Sequence, residues 1–307
     1  MAALYYMVCT VALTVVLGAC MGAPEASPSD SVQMVAGGHG DTLRVDVAGA
    51  ERVFLPVPPD SEIPAGPLGA SVRRGRAIFE ATRDSLPSNV GNQLRCLSCH
   101  LDGGRRANAS PLVGSFLAYP AYNARAGRVI TIEDRVNGCF RRSMAGRPLP
   151  IESADMRDMV SYLAFLSRGV VAGSEVKGHG LPKMEPLDAD SARGRAIFAS
   201  TCARCHGANG EGRSFAPPLW GPGSFSIGAG MARLRTAASF IRYNMPYDLP
   251  GTLSDQEAFD VAAYVNSHSR PDLAGKENDW PNGDAPPDAA YPTNATRKRS
   301  ELAALRR

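Results

Sequence analysis

Two stretches of the chain carry apolar side chains at helical spacing, Met159, Leu163 and Leu166 in "DMVSYLAFLSR" and Phe259, Ala262 and Val265 in "FDVAAYVNSHSR". Apolar residues that return every three or four positions predict a helix with one buried face in each. Upstream of each lies a second helix-like stretch around "RGRAIF", which occurs at residues 74–79 and again at 193–198. Glycine- and proline-rich segments separate the two stretches of each pair, so loops and very little strand are expected between them. The pattern predicts a mainly α protein.

The pattern is also a repeat. Asp158, Tyr162, Ser167 and Arg168 recur in register as Asp260, Tyr264, Ser269 and Arg270, and each "RGRAIF" is followed by Cys-x-x-Cys-His, "CLSCH" at 96–100 and "CARCH" at 202–206. Agreement at three separated places, in order, marks two copies of one domain. We place the first at 63–180 and the second at 181–270, with the turn-forming "VAGSEVKGHGLPKMEPLDAD" across the boundary. Residues 21–62 and 271–307 read as extended segments, the latter ending in a charged, frayed tail. From the Phe of the repeat to the first Cys is 17 residues in copy one and 4 in copy two. The first copy has therefore gained about a dozen residues beside its motif, a route to a pocket of its own.

Composition changes this picture only at the N-terminus. The 307 residues, 44% hydrophobic, hold 33 basic and 30 acidic side chains with no dense basic run beyond a short "RKR", which argues against a nucleic-acid partner. Residues 1–20, "MAALYYMVCTVALTVVLGAC", form an apolar run of signal-peptide length, atypical in lacking an early Lys or Arg. Export to the periplasm is expected. "LGAC" matches a lipoprotein processing site that would lipidate Cys20 and attach the protein to a membrane; cleavage a few residues later and an uncleaved anchor stay open. Beyond Cys9 and Cys20 the chain has Cys96, Cys99, Cys139, Cys202 and Cys205, an odd number that cannot all pair within it.

Cys-x-x-Cys-His is the attachment sequence of haem c: the two thiols form thioethers with the vinyl groups and the adjacent His reaches the iron. A redox dithiol or half a zinc site would use the same spacing once. Two occurrences in duplicated, exported domains predict two covalent haems, on Cys96, Cys99 and His100 and on Cys202, Cys205 and His206. Each domain would then wrap around a macrocycle, a cytochrome c-like fold. In copy two, Met245 lies in a loop before the last helix, where a thioether ligand commonly sits, with Met231 a weaker candidate. In copy one, "GCFRRSM" aligns with "SFIRYNM", so Met144 falls opposite Met245 within one residue and Cys139 opposite Phe240. Duplication favours Met144 as ligand and Cys139 as a small apolar residue. Against that, Arg125, Arg128, Arg135, Arg141, Arg142 and Arg147 all lie within 14 residues of Cys139, and positive charge favours the thiolate.

With these residues assembled, the chain resembles the bacterial dihaem thiosulfate dehydrogenases, from "IPAGPLGASVRRGRAIF" through "VITIEDRVNGCFRRSMAGRPLP" to "DWPNGDAPPDAAYP". The resemblance implies that Cys139 is the distal ligand of a catalytic first haem opposite His100, that Arg125, Arg135 and Ser143 line the substrate pocket, and that His206 and Met245 hold the second haem. Some members carry a Lys just before that Met; here the place is Asn244. The implied activity is oxidation of two thiosulfates to tetrathionate, with electrons passing through the second haem to a soluble or membrane-bound cytochrome c. A small dianion suits convergent arginines and a hydroxyl. Two alternatives remain: a dihaem electron carrier without catalysis, in which Met144 ligates the first haem, and the same site run as a tetrathionate reductase. His39, His179 and His268 read as surface or loop residues, and Met156 and Met159 as core.

Overall fold

The computed structural model describes residues 55–304, all within one compact unit, Ala36–Arg307. The export segment, Cys20 and His39 lie outside the described residues. The longer helices are α1 (Gly66–Glu80), α2 (Ile132–Arg142), α3 (Ala154–Leu166), α4 (Ser191–Ile197), α5 (Leu234–Asn244), α6 (Asp255–Asn266) and α7 (Asn294–Ala304). Strand is confined, among the described residues, to one hairpin, β1 (Ala121–Asn123) against β2 (Arg128–Ile130), in register Ala121↔Ile130. The fold is mainly α, as the periodicity predicts. No helix among the described residues is long and apolar enough to cross a membrane.

The repeated residues explain the repeated packing. In the first copy α1 lies on α3, and in the second α4 lies on α6. Arg74 Nε and Nη2 donate to the Asp158 carboxylate at 2.7 and 3.0 Å, and Arg193 makes the same two bonds to Asp260 at 2.7 and 3.0 Å. The Gly that follows each Arg is required by close approach: a Cβ on Gly75 would lie 1.9 Å from the Asp158 carbonyl oxygen, and one on Gly194 2.0 Å from that of Asp260. Phe79 and Phe198, both buried, pack on Tyr162 and Tyr264 with ring centroids 5.8 and 5.5 Å apart. Hence the Arg-Gly and the Asp and Tyr of the repeat form one contact seen from its two sides.

Side-chain caps set several helix starts. Thr131 and Asp134 form a reciprocal capping box at the start of α2, and Ser254 and Glu257 do the same for α6. Arg141 and Arg142 end α2, complementing its dipole. The linker is fixed to the first domain: Gly178 and Gly180 accept hydrogen bonds from the Asn108 and Ser110 amides, and His179 Nδ1 lies 3.1 Å from the Val113 carbonyl oxygen. Residues 271–293 form turns and irregular chain with one helical turn at Lys276–Asn278, Trp280 and Tyr291 are buried, and 294–304 form α7, where the sequence predicts a frayed tail. Apolar burial beneath this segment supplies the order that its polar composition conceals.

Candidate functional site

Each Cys-x-x-Cys-His sits on a short helical turn that follows the first helix of its copy. His100 Nδ1 is 2.6 Å from the Ser110 carbonyl oxygen and His206 Nδ1 is 2.8 Å from that of Pro217. A carbonyl only accepts, so in both rings Nδ1 carries the hydrogen and the Nε2 lone pair is left for a metal. Burial pushes the His206 pKa down, against a smaller opposing effect of the Pro217 carbonyl, which keeps the imidazole neutral as a ligand must be. Burial also pushes the Cys96 and Cys99 thiols up to about 12 and Cys202 up to about 11.

A cavity of about 1080 Å³ opens in the second domain, walled by Phe198, Leu219, Ile241 and Val261 and reached by Cys202, Cys205 and His206. Met231 and Met245 both line it. A mostly apolar chamber with two thiols and an imidazole at its wall fits a covalently held macrocycle. First-domain residues, among them Arg76, Glu80, Arg95, Cys99, Leu101 and Asp102, form the rest of its wall.

In the first domain Cys139 differs from every other thiol with a resolved shift. It is half-buried on α2, and Arg135 Nη1 donates to its Sγ at 3.0 Å. Burial acts to raise its pKa, but the Arg135 charge, with the neighbouring His100 ring and the Arg135 N–H bond, outweighs burial and brings it down to about 6. The thiolate therefore dominates at neutral pH, next to the ring that the first attachment motif presents. Arg135, Cys139 and Arg142 follow at spacings of four and three on α2, which places them along one face. Arg135 also donates to the Tyr119 hydroxyl.

Met144 lies just beyond α2, 3% exposed, in the core with Leu94, Phe140, Leu149 and Met156. Ser143 caps α2, and its carbonyl accepts from Asn92 Nδ2 at 2.9 Å. Arg125 enters a second cluster: its Nη1 donates to the Gly228 carbonyl at 2.8 Å, its Cζ lies 4.3 Å above the Trp280 ring, and its Nε is 3.9 Å from Asp279. Asp279 accepts two hydrogen bonds of 2.6 Å from Arg142 and one of 2.5 Å from the Tyr291 hydroxyl. The structure thus joins Cys139, Arg135 and His100 directly and anchors Arg125 and Arg142 on the C-terminal segment. The sequence reading passes over Asp279, Trp280, Tyr291, Tyr119 and the carbonyls of Ser110 and Pro217. A Trp and a Tyr within a polar, proline-rich tail are the signal that marks the first three.

Residues 76–171 match the family described as SoxA/TsdA, cytochrome c domain, and residues 191–269 match cytochrome c. The class follows: two cytochrome c domains in tandem, each of which binds a covalent haem c. The chain is 46% identical over 241 residues to a thiosulfate dehydrogenase of Psychrobacter arcticus, covering 76% of this chain and 74% of that one. It is 45% identical over 239 residues to a thiosulfate dehydrogenase of Allochromatium vinosum, covering 73% and 88%. The solved structure of thiosulfate dehydrogenase (TsdBA) from Marichromatium purpuratum superposes with a TM-score of 0.71 at 39% identity over 78% of this chain, which spans 55% of that one. The chain belongs to the thiosulfate dehydrogenase family of enzymes.

Proposed function

We propose that the chain joins two thiosulfates into tetrathionate at its first haem site and releases the two electrons, through the second domain, to an external cytochrome c or a similar acceptor. The observation that carries this reading is the hydrogen bond of 3.0 Å from Arg135 Nη1 to the Cys139 sulfur; the Arg135 charge, with the neighbouring His100, favours the thiolate. When bound, each haem supplies a centre that accepts and passes on one electron at a time. The rest falls to the chain. Cys96 and Cys99 would attach the first haem, with His100 and Cys139 as the side chains that would hold its iron; Cys202 and Cys205 would attach the second, with His206 and Met245 in the same role.

Arg135 and Arg125 neutralise the substrate dianion, and the Ser143 hydroxyl donates to one of its oxygens. Cys139 supplies a soft anionic sulfur that takes the sulfane sulfur of a first thiosulfate into an S–S bond, releasing two electrons. Attack by a second thiosulfate on that sulfane sulfur breaks the bond, forms tetrathionate and returns the Cys139 thiolate. A plain electron carrier with Met144 at the first haem is the second reading; the hydrogen bond from Arg135 to the Cys139 sulfur, which such a carrier would not need, favours the catalytic one. The apolar N-terminal run supports export to the periplasm, with membrane attachment if Cys20 is lipidated.

Electron paramagnetic resonance of the ferric protein tests the assignment. Wild type should show a low-spin thiolate-ligated haem; Cys139→Ser should lose that signal together with thiosulfate-dependent reduction of cytochrome c. Full activity in Cys139→Ser would overturn the reading, and faster turnover with tetrathionate and a reductant than with thiosulfate would reverse the proposed direction.

A further inference from the structure

The segment that follows the first attachment motif reaches across to the residues on either side of Met245. Asp102 accepts a hydrogen bond of 2.7 Å from Arg106 Nε on one carboxylate oxygen and one of 3.0 Å from the Tyr247 hydroxyl on the other. Arg106 is 1% exposed, and its Nη1 and Nη2 are buried with no hydrogen-bond partner among the described residues. Its Cζ lies 4.4 Å from the centre of the Tyr247 ring. A buried guanidinium with two unmatched nitrogens is costly unless something else stabilises its charge. The face of Tyr247 does so, and the same residue bonds the counter-ion. Tyr247, 54% exposed and also at the wall of the second-domain cavity, thus completes a three-membered cluster with two first-domain residues.

On the other side of Met245, the fully buried Asn244 donates from Nδ2 to the Asn108 carbonyl at 2.8 Å. Beneath both contacts, Leu101 and Ala109 of the first domain pack in one cluster with Phe240, Met231 and Met245. The first-domain segment is held in an unusual backbone conformation: Asp102, Asn108 and Ser110 all have positive φ, at 55°, 60° and 50°. Hydrogen bonds to Gly178 and Gly180 fix it, and its last carbonyl, that of Ser110, holds the His100 ring.

We infer that Asp102, Arg106 and Tyr247, with the Asn244 to Asn108 bond, form a clasp by which the first domain positions Met245 in the second haem pocket. These are positioning residues, and the inference rests on the reading that Met245 is the distal ligand there. The clasp makes ligation of the second haem a property of the domain pair. The segment that orients His100 is continuous with the one that places Met245.

The test uses the full chain with both haems attached. The readouts are the thioether-to-iron charge-transfer absorption of the ferric second haem and that haem's midpoint potential. Tyr247→Ala and Asn244→Ala should weaken or abolish the band and lower the potential, with two haems still covalently bound and the thiolate signal of the first haem unchanged. Tyr247→Phe, which keeps the ring over Arg106 and loses only the bond to Asp102, should fall between wild type and Tyr247→Ala. A wild-type band and potential in both alanine variants would overturn the clasp while leaving the ligand assignment standing. A band that survives in Met245→Ala would overturn the ligand assignment and the clasp with it.

Discussion

At the scale of single residues, environment separates thiols that composition treats alike. Cys96 and Cys99 are raised by burial to about 12, whereas Cys139, under the same penalty, is brought to about 6 because Arg135 and His100 both reach its sulfur. Arg135 is one helical turn from Cys139, close enough for a direct N–H to sulfur bond, and in the proposed reaction its guanidinium also serves the incoming dianion. Arg135→Ala should therefore raise KM for thiosulfate about 10- to 100-fold, the worth of one charge-assisted hydrogen bond. Arg135→Lys should recover part of that loss by charge alone, without the fork geometry. Steady-state kinetics with a cytochrome acceptor measure both. An unchanged KM in Arg135→Ala would remove Arg135 from substrate binding.

At the scale of elements, the duplicated helix pairs depend on the same few contacts, so equivalent substitutions should behave alike in the two domains. A methyl group at Gly75 or Gly194 meets a backbone oxygen at about 2 Å, which forces the helices apart. Gly75→Ala and Gly194→Ala should each destabilise by about 1–3 kcal/mol, read as a fall in Tm. The Arg–Asp pairs predict pH dependence. Burial pushes the Asp158 and Asp260 carboxyls up, but hydrogen bonds, led by those from Arg74 and Arg193, more than reverse this and hold both below the usual aspartate value. A carboxyl lowered in the folded state stabilises above its unfolded pKa of about 4, and that stability is lost as pH falls through the folded value. Asp158→Asn and Asp260→Asn should lower Tm at pH 7, and the gap to wild type should close below about pH 4. A gap that stays constant with pH would mean that the aspartates act through shape alone.

At the scale of the whole molecule, residues distant in sequence close the structure around the first site. Asp279 holds Arg142 from 137 positions away, and Trp280 covers Arg125. Asp279→Ala leaves the partly buried Arg142 unpaired and releases the segment that backs Arg125, so it should cost on the order of 3 kcal/mol and raise KM for thiosulfate. Thermal unfolding and kinetics of the same preparation test both effects, and a stable variant with unchanged KM would make the segment a passive cover. The two domains, their helices, both haem attachment motifs and the unusual setting of Cys139 were legible from sequence. Each is written in spacings of a few residues, where covalent geometry brings side chains onto one helix face or one turn. The choice between Cys139 and Met144 was legible only in part: duplication pointed to Met144, the surrounding arginines and the family resemblance to Cys139, and the N–H to sulfur bond from Arg135 supports the second. Nor were the Asp279 anchor, the Ser110 carbonyl behind His100 or the contacts between Arg106 and Tyr247. Those pairings join segments that meet only when the chain is packed, and no local pattern distinguishes the Asp or Tyr that meets a partner from one that faces water.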